Sequence, residues 1–234
     1  MDIVLHIYRF NPETDEKPSM QVYQVPVFKR GMKLLDALNY IKGQLDGTLT
    51  YRRSCGEGAC GSDGMNINGV NGLACITPIE GLKQPIQLRP LPSMSVIRDL
   101  VVDMEHFFEQ YRQIKPWLQT TTPTPEHERL QTPEEREKLD GLYECVMCGC
   151  CTTSCPSWWW NGDRFMGPAV LLQADRWLQD SRDEAAGERL DQLEDAFKLY
   201  RCHQIMNCME ACPKELNPTK AINHIKRSLL ERKS

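Results

Sequence analysis

No run of about 18 consecutive apolar residues occurs in the chain, so no segment is predicted to cross a membrane as a helix. The stretch Met1 to Phe10 alternates apolar and polar residues and lacks the basic and then apolar regions of a secretory leader. Excess positive charge is missing too. With 28 Lys and Arg against 32 Asp and Glu, the net charge of -4 gives no footing for a phosphate backbone, and nucleic acid is not an expected partner. No repeat period is visible outside the cysteine runs. These absences predict a chain that folds in a reducing, cytoplasm-like compartment and reaches a membrane only through partners.

What is present in unusual amount is cysteine. Eleven in 234 residues are too sparse for a small disulfide scaffold and too clustered for incidental packing, so they need a shared chemical reason. The length allows two domains.

Along the chain, Ile3, Leu5 and Ile7 share one face of an alternating run, and Val22 to Phe28 repeats the pattern after the turn-rich Asn11 to Pro18, which predicts a hairpin. Leu34, Leu35, Leu38 and Ile41 fall at helical spacing. A Gly and Cys segment follows, Ser54 to Cys75, with Asn-Gly turns expected at Asn68 and Asn71 and a short strand near Ile86 to Leu88. Strands flanking one helix predict a small α+β domain ending near Pro92. From Val96 the apolar spacing through Ile97, Leu100, Val101, Met104, Phe107 and Phe108 predicts a helix that bridges the domains. Thr120 to Pro125 is a linker, and Thr132-Pro133-Glu134-Glu135 is a capping box with Pro at the first helical position. Helices are expected over Pro168 to Gln179, Glu188 to Tyr200, and Pro218 to Glu231 behind an Asn217 cap.

Cys145-x2-Cys148-x2-Cys151-x3-Cys155-Pro156 has the spacing of a bacterial ferredoxin run, in which the last cysteine serves a second cluster. A second run is therefore required, and Cys202-x5-Cys208-x3-Cys212-Pro213 supplies it. Exchanging the last cysteines gives one site of Cys145, Cys148, Cys151 and Cys212, and another of Cys155, Cys202 and Cys208. Where the second run should hold its middle thiolate stands Ile205, which cannot ligate iron. The spacing thus predicts a [4Fe-4S] cluster at the complete site and a [3Fe-4S] cluster at the three-thiolate site. Structural zinc is the alternative, although zinc sites normally close with four ligands. Cys150 fits neither run and is expected to be a small buried hydrophobe.

Cys55-x4-Cys60-x2-Asp63-x11-Cys75 is the plant-type [2Fe-2S] spacing with Asp in the third place. Asp63 is the candidate fourth ligand, its alternative role being that of a turn aspartate capping backbone amides. Arg52 and Arg53 can offset the charge of the cluster or simply be solvated. Gly56-Glu57-Gly58-Ala59-Cys60-Gly61 matches the dinucleotide pattern G-x-G-x-x-G, but Ser62-Asp63-Gly64 follows where a helix should open. These glycines are read as backbone room around sulfide. After Cys155-Pro156 comes Ser157-Trp158-Trp159-Trp160, three indoles tied by sequence to the three-iron site and suited to a wet-to-apolar boundary or a quinone headgroup. Packing is the alternative role for each. His203, beside Cys202, is a candidate proton donor to a reduced quinone. The basic tail of Lys220, Lys226, Arg227, Arg232 and Lys233 suits either anionic headgroups or plain solvation.

Beyond ligand spacing, the segments Arg52-Arg53-Ser54-Cys55, Leu73-Ala74-Cys75-Ile76-Thr77-Pro78, Arg89-Pro90-Leu91-Pro92, Val96-Ile97-Arg98-Asp99-Leu100-Val101-Val102-Asp103 and Asp140-Gly141-Leu142-Tyr143-Glu144-Cys145 resemble the iron-sulfur subunit of bacterial succinate dehydrogenase along the whole chain. The resemblance implies an α+β architecture, a β-grasp [2Fe-2S] ferredoxin-like domain over 1–103 and an all-α ferredoxin-like domain over 104–234. It implies an FAD-containing flavoprotein partner that oxidises succinate to fumarate, membrane anchor subunits usually bearing heme b, and ubiquinone reduced at that anchor. Electrons would pass from flavin through [2Fe-2S], [4Fe-4S] and [3Fe-4S] clusters, linking the tricarboxylic acid cycle to the respiratory chain. The subunit would sit peripherally on the cytoplasmic face of a bacterial inner membrane. The tryptophan matching Trp160 contacts quinone in the family, and residues matching Pro156, Ser157, His203 and Ile205 line that site. The third [2Fe-2S] position is Cys in many members and Asp in some. A fumarate reductase subunit and a free ferredoxin-like carrier are the alternatives, separated by the direction of catalysis and by the presence of membrane partners.

Overall fold

Alternation in the first strand places Ile3, Leu5 and Ile7 on one buried face, and the computed structural model, which describes residues 2–233, pairs that strand as expected. Strand β1 (Asp2–Arg9) runs antiparallel to β2 (Ser19–Pro26), whose inward residues are Tyr23 and Val25. Helix α1 (Leu34–Tyr40) follows and widens into a π-helical turn over Ile41–Leu45. It is too short to be stable alone. Leu34, Leu38 and Ile41 are fully buried, each contributing about 1.5–3 kcal/mol relative to exposure, so packing on the sheet holds the helix.

Strands β3 (Gly64–Ile67) and β4 (Val70–Leu73) form a hairpin whose two-residue loop is Asn68 at φ 50° and Gly69 at φ 93°, the left-handed pair that a tight hairpin requires. The second expected turn is absent. Asn71 lies inside β4 opposite Asn66 and is buried on the same face as Leu73, at strand and not turn geometry. Strand β5 (Ile86–Arg89) runs parallel to β1 and completes a five-stranded sheet of order β2-β1-β5-β3-β4, the β-grasp arrangement.

The helix expected from Val96 begins later. Val96–Arg98 (β6) and Val101–Val102 (β7) pair instead as a small ribbon. Between them Asp99, buried and at φ 46°, accepts from Arg9 Nε at 3.0 Å, Phe10 N at 3.0 Å and Thr50 N at 2.8 Å. Those distant amides and the Arg9 ion pair outweigh local helical bonds.

This first unit runs to Met104 and also takes in Val146–Ser154, so the segment bearing Cys148, Cys150 and Cys151 is grouped with it and not with the helical half expected from the sequence. Its helix is α4 (Cys150–Thr153). The second unit comprises Glu105–Cys145 and the chain from Cys155 onward. It contains α2 (Glu105–Gln113), α3 (Pro133–Glu137), α5 (Pro156–Asn161), α6 (Gly167–Gln179), α7 (Ala186–Leu193), α8 (Asn207–Glu210) and α9 (Pro218–Lys233). The Thr132 capping box forms, with Glu135 N donating to Thr132 Oγ1 at 3.2 Å and Thr132 N to Glu135 at 2.9 Å. Helix α7 ends well before Tyr200, because the Asp195 carboxylate takes the amides of Phe197 and Lys198 at 2.7 and 3.0 Å in a turn. Buried Arg189 ties α7 to the end of α2 through Asp183 and the carbonyls of Ile114, Lys115 and Trp117. The side chain of Lys233, and Met1 and Ser234, lie outside the described residues.

Helices α6 and α9 are joined by His224 Nδ1, 2.5 Å from the buried Asp175 carboxylate. That bond raises His224 above its ordinary 6.5, with Glu231 assisting and burial and Arg227 opposing. Burial raises Asp175, while His224, Gln179 and Lys220 pull it down. A folded-state pKa above the unfolded value means that this contribution is present at low pH and is lost as pH climbs through the folded value. Raising pH from about 6 to about 9 is expected to lower the calorimetric Tm of the wild-type protein more than that of His224→Gln; parallel declines would disprove the contribution.

Candidate iron-sulfur centres

Between Arg52 and Gly64 the backbone makes a loop in which Gly56, Gly58 and Gly61 all have left-handed φ, at 77°, 73° and 68°. This conformation turns successive amides inward. Cys55 Sγ accepts from Glu57 N at 3.4 Å, Ala59 N at 3.3 Å and Cys60 N at 3.3 Å. The chain then enters a strand and not a helix, so the glycine pattern serves sulfur and not a pyrophosphate. Cys60 Sγ pairs with Ser62 Oγ at 3.2 Å, and that bond, with nearby amides, pulls the thiol down to about 7. Arg52 is committed to the Val102 carbonyl at 2.7 Å.

Asp63 is 3% exposed, and its two oxygens differ. Oδ2 accepts from Cys75 N at 2.5 Å, while Oδ1 is buried with no hydrogen-bond partner. An orphaned buried acceptor is costly unless a cation or donor faces it. Burial, and then the Asp63 carboxylate, push the Cys75 thiol up to about 12. Cys75 therefore becomes a thiolate only beside compensating positive charge, which ferric iron supplies. The donor set and the unpartnered oxygen fit a [2Fe-2S] cluster held by Cys55, Cys60, Asp63 and Cys75. The turn role of Asp63 is met by Oδ2, which leaves Oδ1 as the candidate ligand atom.

The two cysteine runs share a backbone plan. Met147 (φ 51°) and Gln204 (φ 56°) occupy equivalent places, as do Gly149 (φ 79°) and Met206 (φ 72°), and each left-handed residue of the second pair opens a four-residue helix, α4 or α8. Cys151 matches Cys208, Cys155 matches Cys212, and Ile205 stands at the place of Cys148. Left-handed non-glycine residues are uncommon and disfavoured, so their recurrence marks a conformation imposed by the site.

In the second unit Cys155, Cys202 and Cys208 line one pocket. Pro156, Ser157, His203 and Ile205 line it as well, and Ile205 is 50% exposed. Burial pushes the Cys155 and Cys208 thiols up. Thr219 Oγ1 lies 3.5 Å from Cys208 Sγ, and Lys226 Nζ donates to Cys202 O at 3.1 Å, so one residue of the basic tail braces this loop. The tryptophans divide. Trp158 is buried, with Nε1 donating to Gln110 at 3.2 Å, whereas Trp160 is 77% exposed and outside the pocket lining.

Cys148 and Cys151 belong to the first unit, Cys145 and Cys212 to the second, where both pack on Leu142, Leu172, Leu216 and Ala221. Cys150 is fully buried, and its thiol hydrogen bond pulls Cys148 below the usual thiol range. Sequence reasoning missed Ser62 and Thr219, which carry no motif of their own, and the role of Asn71, whose Asn-Gly pair suggests a turn. Only the strand periodicity of Asn71 hinted at burial.

The family of 2Fe-2S iron-sulfur cluster binding domains matches residues 4–109, and that of 4Fe-4S dicluster domains matches residues 141–216. The chain is 57% identical over 227 residues to the succinate dehydrogenase iron-sulfur subunit of Paracoccus denitrificans, covering 97% of this chain and 88% of that one. A chain of the Mycobacterium smegmatis Sdh1 complex in the apo form superposes with a TM-score of 0.88 at 26% identity, covering 99% of this chain and 97% of that one. A hypothetical protein from Helicobacter pylori shares the fold alone, with a TM-score of 0.58 at 16% identity over 96% of this chain and 39% of that one.

Proposed function

From the premise that this chain belongs to the family of succinate dehydrogenase iron-sulfur subunits, we propose that it conducts electrons, one at a time, from an FAD-containing succinate dehydrogenase flavoprotein to ubiquinone at a membrane anchor. The protein carries 2Fe-2S and 4Fe-4S cluster-binding domains and acts in electron transfer as part of a succinate dehydrogenase. No helix among the described residues is long and apolar enough to cross a membrane. Docking to anchor subunits on the cytoplasmic face of the inner membrane, with heme b in the anchor, supplies that contact.

The clusters, when bound, supply the one-electron chemistry that divides the two-electron equivalent left on flavin. Residues of this chain hold, orient and insulate them. Cys55, Cys60, Asp63 and Cys75 hold the [2Fe-2S] cluster; Cys145, Cys148, Cys151 and Cys212 the [4Fe-4S] cluster; Cys155, Cys202 and Cys208 the [3Fe-4S] cluster. Pro156, Ser157, His203 and Ile205 border the last site, and Trp160 extends an indole for the quinone headgroup. His203, which lines the same pocket, gives up a proton at its ring nitrogen to the reduced quinone. The observation that carries the reading is the pocket where three thiols and Ile205 meet, with Ile205 in the place that Cys148 occupies in the other run.

EPR of the purified complex tests it. The oxidised protein is expected to show a three-iron signal, and reduction to bring up a [2Fe-2S] signal. Zinc in place of iron, or a single centre, would overturn the proposal.

A further inference from the structure

Asn71 ligates nothing, yet its buried side chain is the most heavily used amide of the first unit. Its Nδ2 lies 2.8 Å from Ser154 Oγ, 3.0 Å from Thr153 Oγ1 and 3.2 Å from Cys150 O. Asn66 Nδ2 donates to its oxygen at 2.8 Å, which fixes the end of the amide that faces α4. Two amide protons are shared among three acceptors, so no donor is left over. Helix α4 does not need this help to form. Thr153 N already donates to Gly149 O at 2.9 Å, and Ser154 N to Cys150 O at 3.2 Å. What Asn71 adds is a fixed position of that turn against β4.

The start of the same segment is held as tightly. A Cβ on Gly61 would stand 2.6 Å from Val146 O and 3.0 Å from Cys148 Cβ, and one on Gly64 3.0 Å from Cys148 O. The [2Fe-2S] loop thus touches the backbone at Cys148, while Asn71 grips the helix that presents Cys151. Cys148 stands at the first of these contacts, and Cys151 lies within the segment that Asn71 bonds.

We infer that Asn71 is a positioning residue for the four-iron centre, holding Cys151 in place through α4. This rests on the ligand assignment proposed above. Residues that orient ligands in this way without touching the metal govern how firmly a site retains it.

The test is a ferrous-chelator challenge of the intact purified complex, followed by EPR of each reduced centre. In Asn71→Ala the [4Fe-4S] signal is expected to disappear about tenfold faster than in wild type, while the [2Fe-2S] signal decays at the wild-type rate. Asn71→Asp, of equal size but lacking the donors, should behave alike. Wild-type retention in both variants would overturn the inference, as would equal loss of both centres, which would make Asn71 a support of the whole unit. If neither variant accumulates, Ser154→Ala, which deletes the nearest acceptor from the α4 side, decides the matter: selective [4Fe-4S] loss supports the inference and its absence overturns it. A wild-type complex with no four-iron signal would overturn the ligand assignment and this inference together, whereas an intact wild-type signal with unaffected variants overturns this inference alone.

Discussion

Replacing Ile205 with cysteine is expected to abolish most of the oxidised-state three-iron EPR signal and to bring up a second four-iron signal on reduction. The backbone is already prepared for it. Gln204 and Met206 on either side of Ile205 repeat the left-handed conformations of Met147 and Gly149 around Cys148, so a thiol at 205 inherits the direction in which the Cys148 thiol is carried. The change does little to the fold, since Ile205 is 50% exposed and surface substitutions usually alter stability by about 0.5 kcal/mol or less. A fourth ligand closes the open corner and changes the net charge and potential of the centre, so quinone reduction should fall while succinate oxidation by an artificial dye persists. Ile205→Val, apolar and without a ligand atom, keeps the three-iron signal. An unchanged oxidised-state signal in Ile205→Cys would defeat the assignment of Cys155, Cys202 and Cys208.

The second large effect is at Asp63, where two roles can be separated by choice of side chain. Asp63→Ala removes the acceptor for Cys75 N and the unpartnered oxygen together, and is expected to eliminate the [2Fe-2S] signal. Leaving the buried Cys75 amide unpaired costs about 1–3 kcal/mol besides. Asp63→Asn distinguishes these contributions, because its carbonyl oxygen still serves the Cys75 amide while the charge at the orphaned oxygen is gone. Its thermal stability should stay near wild type, but its [2Fe-2S] centre should be lost or its spectrum shifted. Asp63→Cys restores a charged ligand and should retain a centre with the spectrum of a four-thiolate site. An Asp63→Asn protein with an unaltered [2Fe-2S] spectrum would show that Asp63 is a cap and nothing more.

These predictions concern positions where a single residue departs from a spacing rule, and such departures were legible because ligand spacing is local in the chain. The two runs ending in Cys155-Pro156 and Cys212-Pro213, and the set from Cys55 to Cys75, can be read from separations of a few residues. Alternation in β1 and the capping box at Thr132 are equally local, and both appear as expected. The stretch from Val96 was misread for the opposite reason. Its apolar positions suit a helix, yet the buried carboxylate of Asp99 finds Arg9, Phe10 and Thr50, residues too distant in sequence for periodicity to weigh.

Asn71 shows the same division. An Asn-Gly pair favours a turn, and at Asn68 it makes one; at Asn71 burial against Cys150, Thr153 and Ser154 places it in a strand. The sequence by itself determined which side chains are candidate ligands and how they are spaced, since that spacing is set by the covalent chain. Only the tertiary structure decided which unit carries residues 146–154, which oxygen of Asp63 is left for a ligand, and which of three adjacent tryptophans is buried. Those outcomes depend on which partner folding brings within about 3 Å, and hydrogen bonds act only at that range.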